Sequence, residues 1–277
     1  MAKKKSPSAE VSGRGHGPQR RTSSFASADS SSATAGTPQQ RRLSGKLAVI
    51  TGGSRGIGFA IAQAFANEGC NLVLAARSAS NLRRAVNELS SSVPEIAGIE
   101  CDVRRETSVQ RLFSRIKEDF KRIDILVNNA GISQAPIEIE RLDSAVWREV
   151  VEADLTSVFL CTRAALPLMK RGSTIINTIS MSGYHVFPKF SAYTAAKHGA
   201  LGFTNAVREE VRSRGIRVMA LVPGATDTDI WQQIWPEAPR QKMVSPAAIA
   251  TAVLNAVLMP ANTVVEEIRI NPTEGPL

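Results

Sequence analysis

Aromatic side chains make up only 5% of this 277-residue chain, with two tyrosines and three tryptophans, so its core must be packed by aliphatic residues. Cysteine is as scarce. Cys70, Cys101 and Cys161 lie far apart with no Cys-x-x-Cys spacing, which excludes a zinc site and a disulfide framework and leaves buried free thiols as the expectation. Three histidines with no clustered carboxylates offer no metal-ligand spacing, and no metal is expected. His185 and His198 are read as ordinary residues beside a functional helix. No apolar run approaches the roughly 18 residues of a membrane span. Acidic residues are the scarcer charge and the formal net charge is +9, yet residues 1–46 hold nine Lys or Arg against Glu10 and Asp29 alone. The remainder is too nearly neutral for a basic binding face, so neither nucleic acid nor membrane is expected as a partner. What is present, 43% hydrophobic and 21% charged residues, suits a globular chain with a substantial core.

Residues 1–44 are rich in Ser, Ala, Gly, Pro, Lys and Arg and show no apolar periodicity, which predicts a disordered basic extension. The same composition resembles an organellar transit peptide and lacks the apolar core of a secretory signal. The expected location is cytoplasmic, or organellar if the extension is a transit peptide. From Gly45 short apolar runs alternate with helical patterns. Strands are expected at 47–51, 71–75, 98–100, 123–127, 174–178, 217–221 and 266–270. Helices are expected at 57–68, 79–90, 107–120, 147–169, 192–214 and 246–258. The alternation predicts one domain over 45–277: an α/β doubly wound Rossmann fold with a predominantly parallel seven-stranded sheet flanked by helices.

The first strand runs into Thr51-Gly52-Gly53-Ser54-Arg55-Gly56-Ile57-Gly58 and then an Ala-rich helical pattern. Strand, glycine turn and helix in that order suit a dinucleotide: the turn lets backbone amides and the positive helix end meet a pyrophosphate. A cofactor with two free ribose hydroxyls calls for Asp or Glu at the end of the second strand, whereas Leu74-Ala75-Ala76-Arg77-Ser78 has none. Arg77 and Arg55 are instead suited to clamp a 2′-phosphate, so NADP(H) is the expected cofactor.

These features join Asp102-Val103 after the third strand, Asn128-Asn129-Ala130-Gly131 after the fourth, and Tyr193-x-x-x-Lys197. Together they resemble the short-chain dehydrogenase/reductase family over about residues 45–277. The resemblance implies that Asp102 binds the adenine amine with support from the Val103 backbone. It implies too that Asn128, Asn129, Ala130 and Gly131 line the adenosine side, and that the loop Pro223-Gly224-x-Thr226-x-Thr228 lies against the nicotinamide.

Tyr193 and Lys197, four apart in a helical stretch, share one face, and the resemblance places both beside the cofactor. A phenol with a pKa near 10 exchanges protons poorly at neutral pH; the adjacent ammonium is expected to lower it toward working pH. Ser180, thirteen residues before Tyr193, matches the family serine that hydrogen-bonds the substrate oxygen, with Ser182 as the alternative. Where the family usually has an asparagine holding a relay water, this chain has Asp154. Asp154 is counted with the catalytic group, although a carboxylate there would draw on the charge of Lys197.

Trp231 and Trp235 lie where the family carries a mobile lid, and form either an apolar cover for the substrate or a contact with a neighbouring subunit. The implied reaction interconverts a small-molecule carbonyl and a secondary alcohol, in a homodimer or homotetramer. A 3-oxoacyl-[acyl-carrier-protein] reductase is the alternative within the family, and an NADP(H)-sensing scaffold the non-enzyme alternative.

Overall fold

The computed structural model describes residues 41–275, so all but the last four residues of the expected extension lie outside the described residues. Those four belong to the body. Leu43 is buried in the core and its N–H donates to the Glu68 carbonyl at 3.0 Å.

The expected strands form as β1 (Leu47–Thr51), β2 (Asn71–Ala76), β3 (Ile96–Glu100), β4 (Ile125–Asn128), β5 (Thr174–Thr178), β6 (Arg217–Pro223) and β7 (Glu267–Ile270). They pair in the order β3-β2-β1-β4-β5-β6-β7, and every pairing is parallel. Alternation along β1 feeds two layers. Ala48 and Ile50 pack with Ile61 and Phe65 of α1 (Gly56–Asn67) and Val253 of α8 (Pro246–Val257). Leu47 and Val49 pack with Leu112 of α3 (Glu106–Asp119), Cys161 of α5 (Ser157–Ala165) and Val207 of α6 (Ser191–Arg212). Both faces are covered, which is why these strands read as continuous apolar runs. The chain proceeds from β1 outward to β2 and β3, then returns to β4 on the other side, so a crevice opens where strand order reverses, at the carboxyl ends of β1 and β4.

The single helix expected at 147–169 is in fact segmented. Asp143 accepts the Ala145 N–H at 2.7 Å and starts α4 (Ser144–Val151) earlier than expected. A π-helical turn at Glu152–Thr156 follows, then α5, and Pro167 lies in the closing 3-10 turn. The widened turn carries Asp154, which is held sideways by groups from two other elements, and π turns of this kind often mark functional sites. Helix α2 (Ala79–Leu89) and the short α7 (Trp231–Ile234) complete the set.

Candidate active site

At the carboxyl end of β1 the Thr51 hydroxyl ties two strands together. It donates to the Val127 carbonyl at 3.3 Å and accepts the Asn129 and Ala130 N–H groups at 3.0 and 3.1 Å. The chain then turns sharply: Gly52 has φ +65°, and a Cβ there would lie 2.9 Å from Asn129 Nδ2 and 3.0 Å from the Ala130 backbone. Asn129 Nδ2 braces the turn by donating to the Thr51 carbonyl at 3.2 Å. The resulting arc, Gly52-Gly53-Ser54-Arg55, opens into α1, whose first N–H groups are free to meet an anion.

A continuous cleft of about 1070 Å³ runs from this turn along the carboxyl edge of the sheet. Of the residues singled out from the sequence, it is lined by Gly52, Ser54, Arg55, Gly56, Ile57, Arg77, Asp102, Val103, Asn129, Ala130 and Gly131, and by Asp154, Ser180, Tyr193, Lys197, Pro223, Gly224, Thr226 and Thr228. Two expected residues stand outside the lining. Asn128 is buried beneath it, donating to Thr162 Oγ1 at 3.0 Å and Asn177 Oδ1 at 2.8 Å, so it joins β4 to β5 and α5 instead of facing the cleft. Gly58 lies under the turn against Asn129 and Gly52. His185 and His198 are also outside the lining, and His198 Nδ1 is bonded to the Thr194 carbonyl at 2.9 Å.

At the far end from Tyr193, Arg77 is exposed and has no ion-pair partner among the described residues. Beside it Ser78 caps α2 by accepting the Asn81 N–H at 3.2 Å. Arg55 has only a loose partner, Asp229 at 3.6 Å across the cleft. This end therefore fits a phosphorylated ribose: an uncommitted guanidinium, a helix N-terminus and no carboxylate at the end of β2. Asp102 is more committed than its sequence position suggests. Arg104 Nε and Nη2 donate to its two oxygens at 2.9 and 2.8 Å, and that hydrogen bonding holds the carboxyl below its usual range against the opposing effect of burial. Arg104, which also pairs with Glu149, was not legible as a site residue; its partner lies 45 positions on.

Near the other end, Tyr193 and Lys197 project from the first turns of α6. Among its first N–H groups, that of Tyr193 is satisfied by Gln134 Oε1 at 3.1 Å, while Gln134 Nε2 donates to the Lys189 carbonyl at 3.1 Å. Buried Gln134 thus fixes where α6 begins, another role the sequence did not signal. Lys197 Nζ lies 5.5 Å from the centre of the Tyr193 ring, donates to the Thr178 carbonyl at 3.1 Å, and is 2.8 Å from Asp154 Oδ1. Asp154 Oδ2 accepts the Ile132 N–H at 3.1 Å. Gly131 has no room for a side chain: a Cβ would lie 2.4 Å from Asp154 Oδ1. Burial alone would lower the Lys197 pKa, but Asp154 and the phenol hold it above the ordinary value. Burial pushes Asp154 up, opposed by Lys197. The expected lowering of Tyr193 needs correction. Burial raises the phenol pKa and Asp154 adds to the rise; Lys197 and the Ser180 hydroxyl pull it down without reversing it. Ser180 also accepts the Ser182 N–H at 3.1 Å, which makes Ser182 a support for the loop.

The lining also carries a group of apolar side chains, Ile132, Phe187, Phe190, Trp231, Ile234 and Trp235, with Ser133 and Asp229 beside them. The Trp231 indole N–H is used up on the Thr226 carbonyl at 2.9 Å, so this ring offers the cleft carbon surface.

The sequence pattern of short chain dehydrogenases matches residues 46–239. The chain belongs to that family and is a short-chain oxidoreductase. It is 34% identical over 193 residues, 69% of this chain and 70% of the relative, to a 3beta-hydroxysteroid dehydrogenase of Mediterraneibacter gnavus. It is 37% identical over 195 residues, 69% of this chain and 78% of the relative, to a 3-oxoacyl-[acyl-carrier-protein] reductase of Synechocystis. Among solved structures it resembles the alcohol dehydrogenase of the archaeon Thermococcus sibiricus complexed with 5-hydroxy-NADP, with a TM-score of 0.77 and 32% identity over 82% of this chain and 97% of that one.

Proposed function

We propose that this chain is an NADP(H)-dependent oxidoreductase that interconverts a bulky, uncharged carbonyl compound and its secondary alcohol. The observation that carries the reading is the meeting in one cleft of a Tyr193 phenol over a buried Lys197 ammonium and a glycine turn flanked by the unpaired Arg77. The backbone of the glycine turn would hold the pyrophosphate, Arg77 and Arg55 the 2′-phosphate, and Asp102 and Val103 the adenine. Bound there, the nicotinamide supplies or accepts the hydride. Ser180 would hydrogen-bond the substrate oxygen, Tyr193 would move its proton, and Lys197 would orient the phenol and the nicotinamide ribose.

The apolar wall from Ile132 to Trp235 supports a large neutral substrate. Of the charged side chains lining the cleft, Lys197 and Asp154 are committed to each other and Asp229 faces Arg55 at 3.6 Å. The Synechocystis relative favours a second reading, a carrier-bound acyl substrate. Cations in the surrounding loops are already paired, Lys189 with Glu138 at 3.0 Å, Arg240 with Asp227 at 2.7 Å and Lys242 with Glu274 at 2.8 Å, which leaves little to steer a protein partner.

Trp147 of α4 and Phe159 of α5, 38% and 39% exposed, support pairing of two copies as a homodimer or, with a second interface, a homotetramer. Three buried, unpaired cysteines, with Cys70 pushed up to about 12 by burial, support a reducing compartment such as the cytoplasm.

The test is NADPH oxidation over matched panels of bulky neutral ketones, 2-keto acids and carrier-bound 3-oxoacyl thioesters, repeated with NADH. Turnover is expected on the neutral ketones and to fall with NADH. Preference for the thioesters would favour the second reading, and tight NADPH binding without turnover on any panel would move the chain to the scaffold class.

A further inference from the structure

The ion pair at the base of the site points beyond the general reaction. Lys197 Nζ is 5.5 Å from the centre of the Tyr193 ring but only 2.8 Å from Asp154 Oδ1. Both partners are nearly sealed from solvent, with side-chain exposures of 6% and 1%. Screening by water is weak there, so the field of the ammonium at the phenol is set by what the protein places beside it. A cation alone stabilises tyrosinate; a cation with a carboxylate against it presents a dipole, whose field falls faster with distance. The pair is rigidly built. Lys197 is held by the Thr178 carbonyl and Asp154 by the Ile132 N–H, and the Asp154 carboxylate sits against Gly131, where a side chain would not fit.

Among the described residues no other charge compensates. Lys197 from α6 and Asp154 from the π turn are the charged groups acting on the phenol, and the Ser180 hydroxyl reaches it from the loop after β5. The surrounding side chains of Ile132, Leu142, Val150, Leu155, Ala192 and Ala196 are apolar. Glu152, on the same turn as Asp154, is exposed, and so is His198, the next residue after Lys197.

We propose that Asp154 is a positioning residue that sets the resting proton state of the site. By holding the Lys197 ammonium in a buried ion pair it keeps the Tyr193 phenol protonated through neutral pH, so the site rests in the form that gives a proton to a carbonyl oxygen and reaches the form that takes one from an alcohol only at higher pH. In carbonyl reduction a bound nicotinamide would supply the hydride, with its two electrons, to the carbonyl carbon. The C–O π pair moves onto oxygen, the oxygen takes the phenolic proton, and the tyrosinate left behind is reprotonated from solvent. The proposal rests on the reading of Tyr193 as the acid–base group, but its test requires no turnover.

The chain has two tyrosines. Tyr184 lies outside the cleft lining, its hydroxyl on the Glu267 carboxylate and its ring under Arg269. In the full-length Tyr184→Phe protein, without cofactor or substrate, near-ultraviolet tyrosinate absorbance therefore reports Tyr193 alone. The expected midpoint is above the ordinary tyrosine value of about 10. Adding Asp154→Asn, which keeps the shape and removes the charge, is expected to lower it by about one to three pH units. The rising limb of the pH profile for alcohol oxidation should shift down with it, a response that a merely structural role would not produce. A midpoint below about 10 in the Asp154 protein overturns the proposal whether or not Asp154→Asn folds. An unchanged midpoint in a folded Asp154→Asn protein overturns it as well. Failure of the acid–base reading would appear separately, as turnover surviving in Tyr193→Phe.

Discussion

Arg77 and Asn128 separate residues whose chemistry is visible in sequence from residues whose place is not. Arg77 follows a strand with no terminal carboxylate, and its guanidinium lines the cleft without an ion-pair partner among the described residues. Arg77→Ala is expected to raise the KM for NADPH by about 10- to 100-fold, the equivalent of one charged hydrogen bond of about 1.5–3 kcal/mol, and to leave the KM for NADH nearly unchanged. Steady-state kinetics with both cofactors measures this. Asn128 belongs to a recognisable motif, but its amide turns inward to Thr162 and Asn177. Asn128→Ala should therefore cost about 1–3 kcal/mol in urea unfolding, by leaving buried partners unsatisfied, while cofactor affinity is retained. A motif fixes the order of residues along a strand end; it does not fix which of two neighbouring asparagines faces the ligand. Arg104 and Gln134 escaped sequence reasoning for a related reason. Gln134 acts on a helix start 59 positions away, and Arg104, besides pairing with Asp102 two positions back, is tied to Glu149 45 positions on, distances no local pattern encodes.

At the scale of elements, the strands were legible because a parallel sheet buried on both faces leaves unbroken apolar runs, and β1 and β5 follow the expected bounds. The break between α4 and α5 was not legible, since a single π turn barely disturbs the apolar spacing. Its consequence lies in where it puts Asp154. The start of α6 depends on Gln134 in the same indirect way, because no side-chain cap closes that helix. Gln134→Ala is expected to reduce kcat by about ten-fold through misplacement of Tyr193, with little change in the KM for NADPH. Equal loss of both parameters would mean that Gln134 supports the whole cleft instead. Helix α8 offers a comparison remote from the chemistry: Ser245 accepts the Ala248 N–H at 3.2 Å, and Ser245→Ala should cost about 1 kcal/mol in urea unfolding with activity retained.

For the whole molecule, the reversal of strand order at β1 and β4 brings the glycine turn, Ser180 and Tyr193 to a single cleft. Fold class, strand number and most of the lining followed from alternation and four short motifs; the strand order, the cleft's apolar wall and the tight commitment of Lys197 to Asp154 needed three dimensions. Every cleft residue falls between Gly52 and Asn271. Proton-coupled hydride transfer through Tyr193 in this cleft is tested by comparing the intact chain with Tyr193→Phe on the best neutral ketone. A fall in kcat of about 10²- to 10⁴-fold with NADPH affinity preserved is expected for loss of a general acid. Turnover by Tyr193→Phe at the rate of the intact chain would contradict it.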